Sequence, residues 1–309
     1  MTDIPKYDVL VIGSLNADLV VRSPRFPGPG ETISGEDLQI IPGGKGANQA
    51  VAASRQGSNV AMVGRVGSDS FGPFLVDNLK TNQVDTAHVL PDHSATGTAI
   101  IVVDSNGQNS IVLSPGANAQ VNKTDVDSAP DAKILLLQFE IPMDIVLHAA
   151  KRYKTMGTTV ILNPAPARNV PEELLTLIDI LVPNETELGL LTNKKVTDAQ
   201  SAESAAKELL QRGVKTVIVT LGANGALLVT KEKSIQVPSF KVNVVDTTAA
   251  GDSFIGGFAS KLLESNSLQF DELQNAVRYG CACGALATTK FGAQPSLPTK
   301  KETEALLNS

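Results

Sequence analysis

The chain has 309 residues, with 26 Lys and Arg against 32 Asp and Glu for a formal net charge of −6, and 42% of its residues are hydrophobic. A chain of this length can bury a large core without disulfides or metals, and one or two domains are expected at about 100–200 residues each. The acidic balance and the lack of a Lys/Arg run exclude nucleic acid and an anionic membrane surface as partners.

In chain order, Met1 to Asp8 resembles neither a signal peptide nor a transit peptide, and Val9 to Gly13 reads as a buried strand. Leu19 to Ile41 consists of short β-like pieces broken by Pro24, Pro27, Pro29, Gly28, Gly30 and Gly35. Ala47 to Gln56 has a helical period closed by Gly57; Val60 to Val63 is strand-like and Phe71 to Lys80 helical. Thr96 to Val103 and Asn109 to Leu113 flank Asp104-Ser105-Asn106-Gly107, a hairpin signal. Ile134 to Leu137, Val160 to Leu162, Ile180 to Val182 and Val217 to Thr220 then read as buried strands. Between and after them come helices over Pro142 to Lys154, Ser201 to Arg212 (closed by Gly213), Ser253 to Glu264 and Asp271 to Lys290. No apolar run approaches the ~18 residues needed to span a bilayer. Cys281 and Cys283 stand too close for a normal disulfide and have no His nearby, which points to a reducing compartment and hence the cytoplasm.

Buried β-branched runs alternating with helices predict a Rossmann-like three-layer α/β/α domain with a mostly parallel central sheet. The two irregular stretches predict a small antiparallel β lid. The expected division is 1–14, 42–94 and 114–309 for the α/β domain and 15–41 and 95–113 for the lid.

The motifs of P-loop NTPases, dinucleotide-binding domains, α/β-hydrolases and zinc proteases are absent, and His88, His93 and His148 fit no metal spacing. The most informative segment is Asp246-Thr247-Thr248-Ala249-Ala250-Gly251-Asp252-Ser253-Phe254, small residues leading into a helix. Free amides and the positive end of the helix dipole make such a start an anion hole for a transferring phosphoryl group. Asp252 there can accept a proton from a hydroxyl; a helix cap is the other reading of the same residue.

This segment resembles the second signature of the ribokinase-like (PfkB) carbohydrate kinase family. The first signature is similar to Gly43-Gly44-Lys45-Gly46-Ala47-Asn48-Gln49-Ala50, whose wording resembles the ribokinase branch more than the phosphofructokinase branch. Further matches are Gly13-Ser14-Leu15-Asn16-Ala17-Asp18, Phe26 to Thr32, Asn163 to Ala167, Pro183 to Glu187, Thr220-Leu221-Gly222 and Gly292 to Ser296, so the resemblance covers essentially the whole chain. Where many members have Gly-Ala before the Gly-Asp pair, this chain has Ala249-Ala250, and Lys290 replaces an Arg of some relatives.

The resemblance implies transfer of the γ-phosphoryl of ATP to the 5-hydroxyl of D-ribose, with Mg²⁺, activation by K⁺, and a homodimer formed through the lid. Asp252 would be the base and Ala249, Ala250 and Gly251 the anion hole. Asn16, Asp18, Gly43, Gly44, Lys45, Asn48 and Glu140 would bind the sugar. Asn184, Glu187, Thr220, Gly222, Gly225, Gly251 and Cys281 would line the nucleotide site, Glu187 reaching Mg²⁺ through water. Asp246, Thr248, Ala287, Lys290, Gly292 and Ser296 would enclose K⁺, mostly through backbone oxygens.

From the residues alone several readings stay open. Asn16 and Asp18 project to one side of an extended chain, yet also suit a polar turn. Asn184 with Glu187 is by itself a capping box, the metal link being what the resemblance implies, and for Cys281 a buried structural thiol is the safer reading. Another sugar or a nucleoside (2-deoxyribose, fructose, adenosine) remains as substrate, as does a catalytically silent sugar sensor.

Overall fold

The first strand sets the plan: Val9 and Val11 pack on one side of it and Leu10 and Ile12 on the other, all buried. Because side chains alternate along a strand, a run apolar at every position needs helices on both faces. The computed structural model, describing residues 6–265 and 267–309, has this arrangement. Residues 1–5 of the Met1 to Asp8 segment, and of the domain range beginning at 1, lie outside the described residues.

The elements run β1 (Tyr7–Ile12), β2 (Asn16–Arg22), β3 (Gln39–Gly43), α1 (Lys45–Arg55), β4 (Val60–Gly67), α2 (Phe71–Thr81), β5 (Asp85–Asp92), β6 (Gly97–Val103) and β7 (Asn109–Ser114). They continue with α3 (Lys123–Asp127), β8 (Ala132–Leu137), α4 (Met143–Thr155), β9 (Thr159–Leu162), α5 (Glu172–Leu177), β10 (Ile180–Leu181), α6 (Glu185–Thr192) and α7 (Ala199–Gln211). The last third contains β11 (Thr216–Thr220), β12 (Ala226–Val229), β13 (Ser234–Val237), α8 (Ala250–Ser265), α9 (Phe270–Ala287) and α10 (Lys300–Leu307).

Among the described residues the main sheet has nine strands in the order β13-β12-β11-β10-β9-β8-β1-β4-β5. It is parallel from β11 to β5, while β12 and β13 add an antiparallel edge. One face packs on α4 to α7 through residues such as Leu135, Tyr153 and Leu209; the other packs on α1, α2, α8 and α9 through Val51, Leu75, Phe258 and Val277. The helix stops at Gly57 and Gly213 are real, with φ of 93° and 112°.

The order of the strands places the site. The chain moves from β1 out to β4 and β5, then returns to β8 on the other side of β1 and continues to β11. The carboxyl ends of β1 and β8 therefore flank a switch point, where open α/β sheets have their crevice.

The second sheet, in the order β3-β2-β6-β7, consists of two antiparallel hairpin pairs joined by parallel pairing of β2 with β6, from Asn16 opposite Gly97 to Arg22 opposite Val103. Its strands fall within 16–43 and 97–114, so β3 runs two residues beyond Ile41 and carries Gly43 into the sheet. The last long helix ends at Ala287 rather than Lys290: the Thr288 carbonyl accepts the amides of Val245 (2.7 Å) and Asp246 (3.1 Å), and the chain turns away there.

Candidate active site

Helices α1 and α8 cross closely because Gly256 has no side chain. A Cβ on it would stand 2.4 Å from Ala52 Cβ and 2.6 Å from the Ala53 nitrogen. One turn before Gly256 on α8 is Asp252, and one turn before Ala52 on α1 is Asn48. The crossing brings their side chains together: Asn48 Nδ2 donates to Asp252 Oδ2 (2.9 Å) and Gln49 Nε2 donates to Asp252 Oδ1 (2.9 Å). Asp252 is buried and is the third residue of α8, and its oxygens are directed at α1, not at its own helix amides. The cap reading of this residue is therefore not realised.

Just before it, Ala249 has a φ of 58°, a left-handed conformation rare for a residue with a Cβ. That turn starts α8 abruptly and leaves first-turn amides without intrahelical acceptors. Gly251 is exposed, with nothing within 4 Å of where its Cβ would lie. Ala249, Ala250, Gly251 and Asp252 thus form an open helix start that an anion can approach against the backbone.

The other sugar-site candidates gather between β1, β3, α1 and the end of β8. Asn16 and Asp18 lie on β2, in register with Gly43 and Ile41 of β3. Gly43 must lack a side chain, since a Cβ there would meet Asp18 Oδ2 at 2.2 Å; at Gly44 (φ 88°) it would meet the Asn16 nitrogen at 2.7 Å. Glu140 stands at the amino end of α1, where one oxygen accepts from the Lys45 amide (3.0 Å), the Ser14 hydroxyl and Asn16 Nδ2 (3.4 Å). Its other oxygen makes no hydrogen bond among the described residues. Asn118 donates to Asn16 Oδ1 (2.8 Å) and fixes that amide. Asn48 Oδ1 is buried without a hydrogen-bond donor, an acceptor available to a ligand hydroxyl.

Charge is concentrated here. Burial first, then the charges of Glu140 and Asp252, push the Asp18 carboxyl up to about 7. Burial opposes the charge on Lys45, but Asp252, Glu140 and Glu187 outweigh it and hold the ammonium above its ordinary value. Three carboxylates thus act on a single ammonium, and two of them also bear on Asp18.

The nucleotide candidates follow the next strands. Asn184 and Thr220 are bridged side by side at the ends of β10 and β11. Both faces of the capping box are formed: Asn184 Oδ1 accepts the Glu187 amide (2.8 Å), and Glu187 accepts from the Asn184 amide and side chain (2.9 Å each). Glu187 is buried, which raises its carboxyl pKa, and it still lies within electrostatic reach of Lys45 and Asp252. Gly222 and Gly225 have φ of 54° and 90° in the turn after β11; space around Gly222 is open, whereas Gly225 is pressed against the Val237 carbonyl. Cys281 lies in the α8/α9 side of the core, and burial pushes its thiol up to about 12, so it can offer only an apolar wall.

Of the cation candidates, three meet directly. Asp246 accepts from the Thr248 amide (2.9 Å) and hydroxyl (2.7 Å) on one oxygen and from the Gly292 amide (2.9 Å) on the other. Ala287 ends α9, where free carbonyls and the negative end of the dipole favour a cation. The Lys290 side chain turns away to Glu302 (2.8 Å), and the Ser296 hydroxyl is spent on the Ala293 carbonyl (2.7 Å). Among the described residues no cluster of three or more His, Cys, Asp or Glu could hold a metal.

Gln49, Gln138 and Asn163 were given no role by sequence reasoning. Gln138 Nε2 donates to Gln49 Oε1 (2.6 Å), and Gln49 Nε2 reaches Asn163 Oδ1 (3.3 Å) as well as Asp252. The available signal was Gln138 itself, an amide following the apolar run Ile134 to Leu137.

The chain matches the family model described as pfkB family carbohydrate kinase over residues 6–300. It is 46% identical over 299 residues to the ribokinase of Haemophilus influenzae, covering 95% of this chain and 96% of that one. A deoxyribokinase of Salmonella typhi is 38% identical over 299 residues, covering 94% and 96%. The structure of Arabidopsis thaliana ribokinase complexed with ribose and ATP superposes with a TM-score of 0.90 at 36% identity, covering 99% of this chain and 100% of that one.

Proposed function

The chain belongs to the pfkB family of carbohydrate kinases, and on that basis we propose that it transfers the γ-phosphoryl of ATP to the 5-hydroxyl of D-ribose. The observation that carries the reading is Asp252: a buried carboxylate held on both oxygens by α1 amides, beside the open start of α8 and facing Asp18 and Glu140.

Asp18, Glu140 and Asn48 Oδ1 supply acceptors for the sugar hydroxyls, and Gly43 and Gly44 let the sugar lie against backbone. Asp252 orients the attacking hydroxyl and takes its proton. In a loose transition state, orienting the nucleophile and neutralising charge matter more than strong deprotonation. The amides of Ala249 to Asp252 receive the charge of the transferring group, and Lys45 offsets the carboxylates around it. Asn184, Glu187, Thr220, Gly222 and Gly225 line the path of the nucleotide, with Cys281 as an apolar wall.

Magnesium supplies charge neutralisation on the phosphates when bound. Both Glu187 oxygens are engaged by Asn184, which suits contact through water and not direct ligation. The Asp246 carboxylate, with the backbone at Thr248, Ala287, Lys290 and Gly292 and the neighbouring Ser296, suits a monovalent cation, K⁺. By tying residues 245–248 to 288–292, that loop pair steadies the start of α8.

The second sheet acts as a lid that excludes water from the phosphoryl group. Its exposed Ile40, Ile100, Ile111, Val112 and Leu113, with Val112 at 63%, support pairing with a second copy. Among the described residues no helix is long and apolar enough to cross a membrane; the use of ATP and the two free buried cysteines support work in the cytoplasm.

The deoxyribokinase relative makes 2-deoxyribose the second reading. The test is the initial rate of ADP formation with Mg·ATP and K⁺ on ribose, 2-deoxyribose, fructose and adenosine at matched concentrations. Preference for ribose is expected. Preference for another acceptor would move the substrate, and no turnover with any would favour a sensor.

A further inference from the structure

Gln49 is completely buried, as is Gln138, and a buried amide is costly where a polar atom lacks a partner; Gln138 Oε1 lacks one, whereas every polar atom of the Gln49 amide is paired. Both hydrogens of the Gln49 amide are used, one on Asp252 Oδ1 (2.9 Å) and one on Asn163 Oδ1 (3.3 Å), and its oxygen accepts from Gln138 Nε2 (2.6 Å). These partners come from α8, from the residue after β9 and from the residue after β8. Asn163 is itself anchored by donating to the Val182 carbonyl (3.0 Å). The amide cannot rotate without breaking three contacts, and flipping it would turn its oxygen onto the Asp252 carboxylate.

An apolar side chain would fill this space without the cost of burying amides, so packing does not account for the row. A charged residue would not serve either. An Arg at this position would neutralise Asp252, and a Glu would repel it, whereas an amide fixes the carboxylate and leaves its charge unpaired. We propose that Gln49 is a positioning residue for phosphoryl transfer: locked by Gln138 and Asn163, its amide holds the Asp252 carboxylate in the orientation that meets the sugar hydroxyl. Gln138 acts only through Gln49. The inference rests on the kinase reading and adds to it how the base is aimed.

The experiment measures kcat and the ribose KM of the full chain and of Gln49→Met, Gln138→Met and the double variant, with thermal midpoints to confirm folding. Met keeps the length and fills the space without donating. Gln49→Met should lower kcat about 10- to 100-fold, the scale of a misaimed reacting group, with KM little changed because Asp18, Glu140 and Asn48 are intact. Gln138→Met should lower kcat less, and the double variant should be no worse than Gln49→Met, since the second change acts through a partner already removed. Unchanged kcat in Gln49→Met, a loss confined to KM, or multiplying losses in the double variant would overturn the proposal. If Gln49→Met does not fold, Gln138→Met decides, and wild-type kcat there overturns it. A wild-type chain that turns over no sugar would instead overturn the kinase reading, and this inference with it.

Discussion

Asp18 is held where its charge is least welcome, and replacing it tests the electrostatics of the site. Its carboxyl is pushed from an ordinary 3.8 up to about 7 by burial, then by Glu140 and Asp252. Between these values the folded chain keeps a proton that the unfolded chain releases, so wild-type stability falls as pH rises across that window. A gap of about three units at about 1.36 kcal/mol each gives a cost of up to ~4 kcal/mol above pH 7. Asp18→Asn keeps the shape and removes the charge. It should therefore be more stable than wild type by about 2–4 kcal/mol at pH 8 and nearly equal to it at pH 4. With about 2.1 cal/mol/K of unfolding entropy per residue, that corresponds to a rise in midpoint of roughly 3–6 °C. Thermal melts of both proteins without sugar, from pH 4 to pH 9, measure it, and taking the difference removes every group titrating alike in the two. A difference that does not grow with pH, or an Asn variant less stable at pH 8, would refute the reasoning. The same variant should lose sugar affinity, seen as a raised ribose KM, so that stability and function oppose each other at this position.

Asp252→Asn should fold normally and lose about 10²- to 10⁴-fold in kcat, the usual contribution of a positioned base; near-normal turnover in a coupled ADP assay would remove Asp252 from the reaction. Gly43→Ala places a methyl 2.2 Å from Asp18 Oδ2 and should raise the ribose KM about 10-fold or more by displacing that carboxylate, and an unchanged KM would separate Asp18 from the sugar. Replacing K⁺ by Na⁺ should lower the initial rate several-fold, and Asp246→Ala should abolish the difference between the two salts; equal rates in both salts would exclude the cation role of the 246 and 292 loops.

The strands buried on both faces were legible because each is a short apolar run, and the helices because their periods end at residues such as Gly57 and Gly213 with positive φ. The edges were not. β5 is a half-exposed strand containing Pro91, and β12 and β13 are four residues each, too short and mixed for either period to stand out. The Asn106-Gly107 hairpin signal told that β6 and β7 pair, but the parallel pairing of β2 with β6 depends on where the main domain carries the two antiparallel pairs.

The site divides in the same way. The residue types of an anion hole, a base and a sugar pocket stand in short segments, because close backbone approach needs small residues at particular positions, and a sequence displays those by itself. It could not say whether Asp252 caps its own helix. That was decided by the contact of Gly256 with Ala52, which carries Asn48 to a carboxylate 204 residues away. It could say that Glu187 caps α6, a local bond three residues long, but not that the same carboxylate lies near Lys45. Local hydrogen bonds and backbone conformation are written in neighbouring residues; the aim of a buried carboxylate depends on which distant amides the packed helices bring to it, and only the tertiary structure decides that.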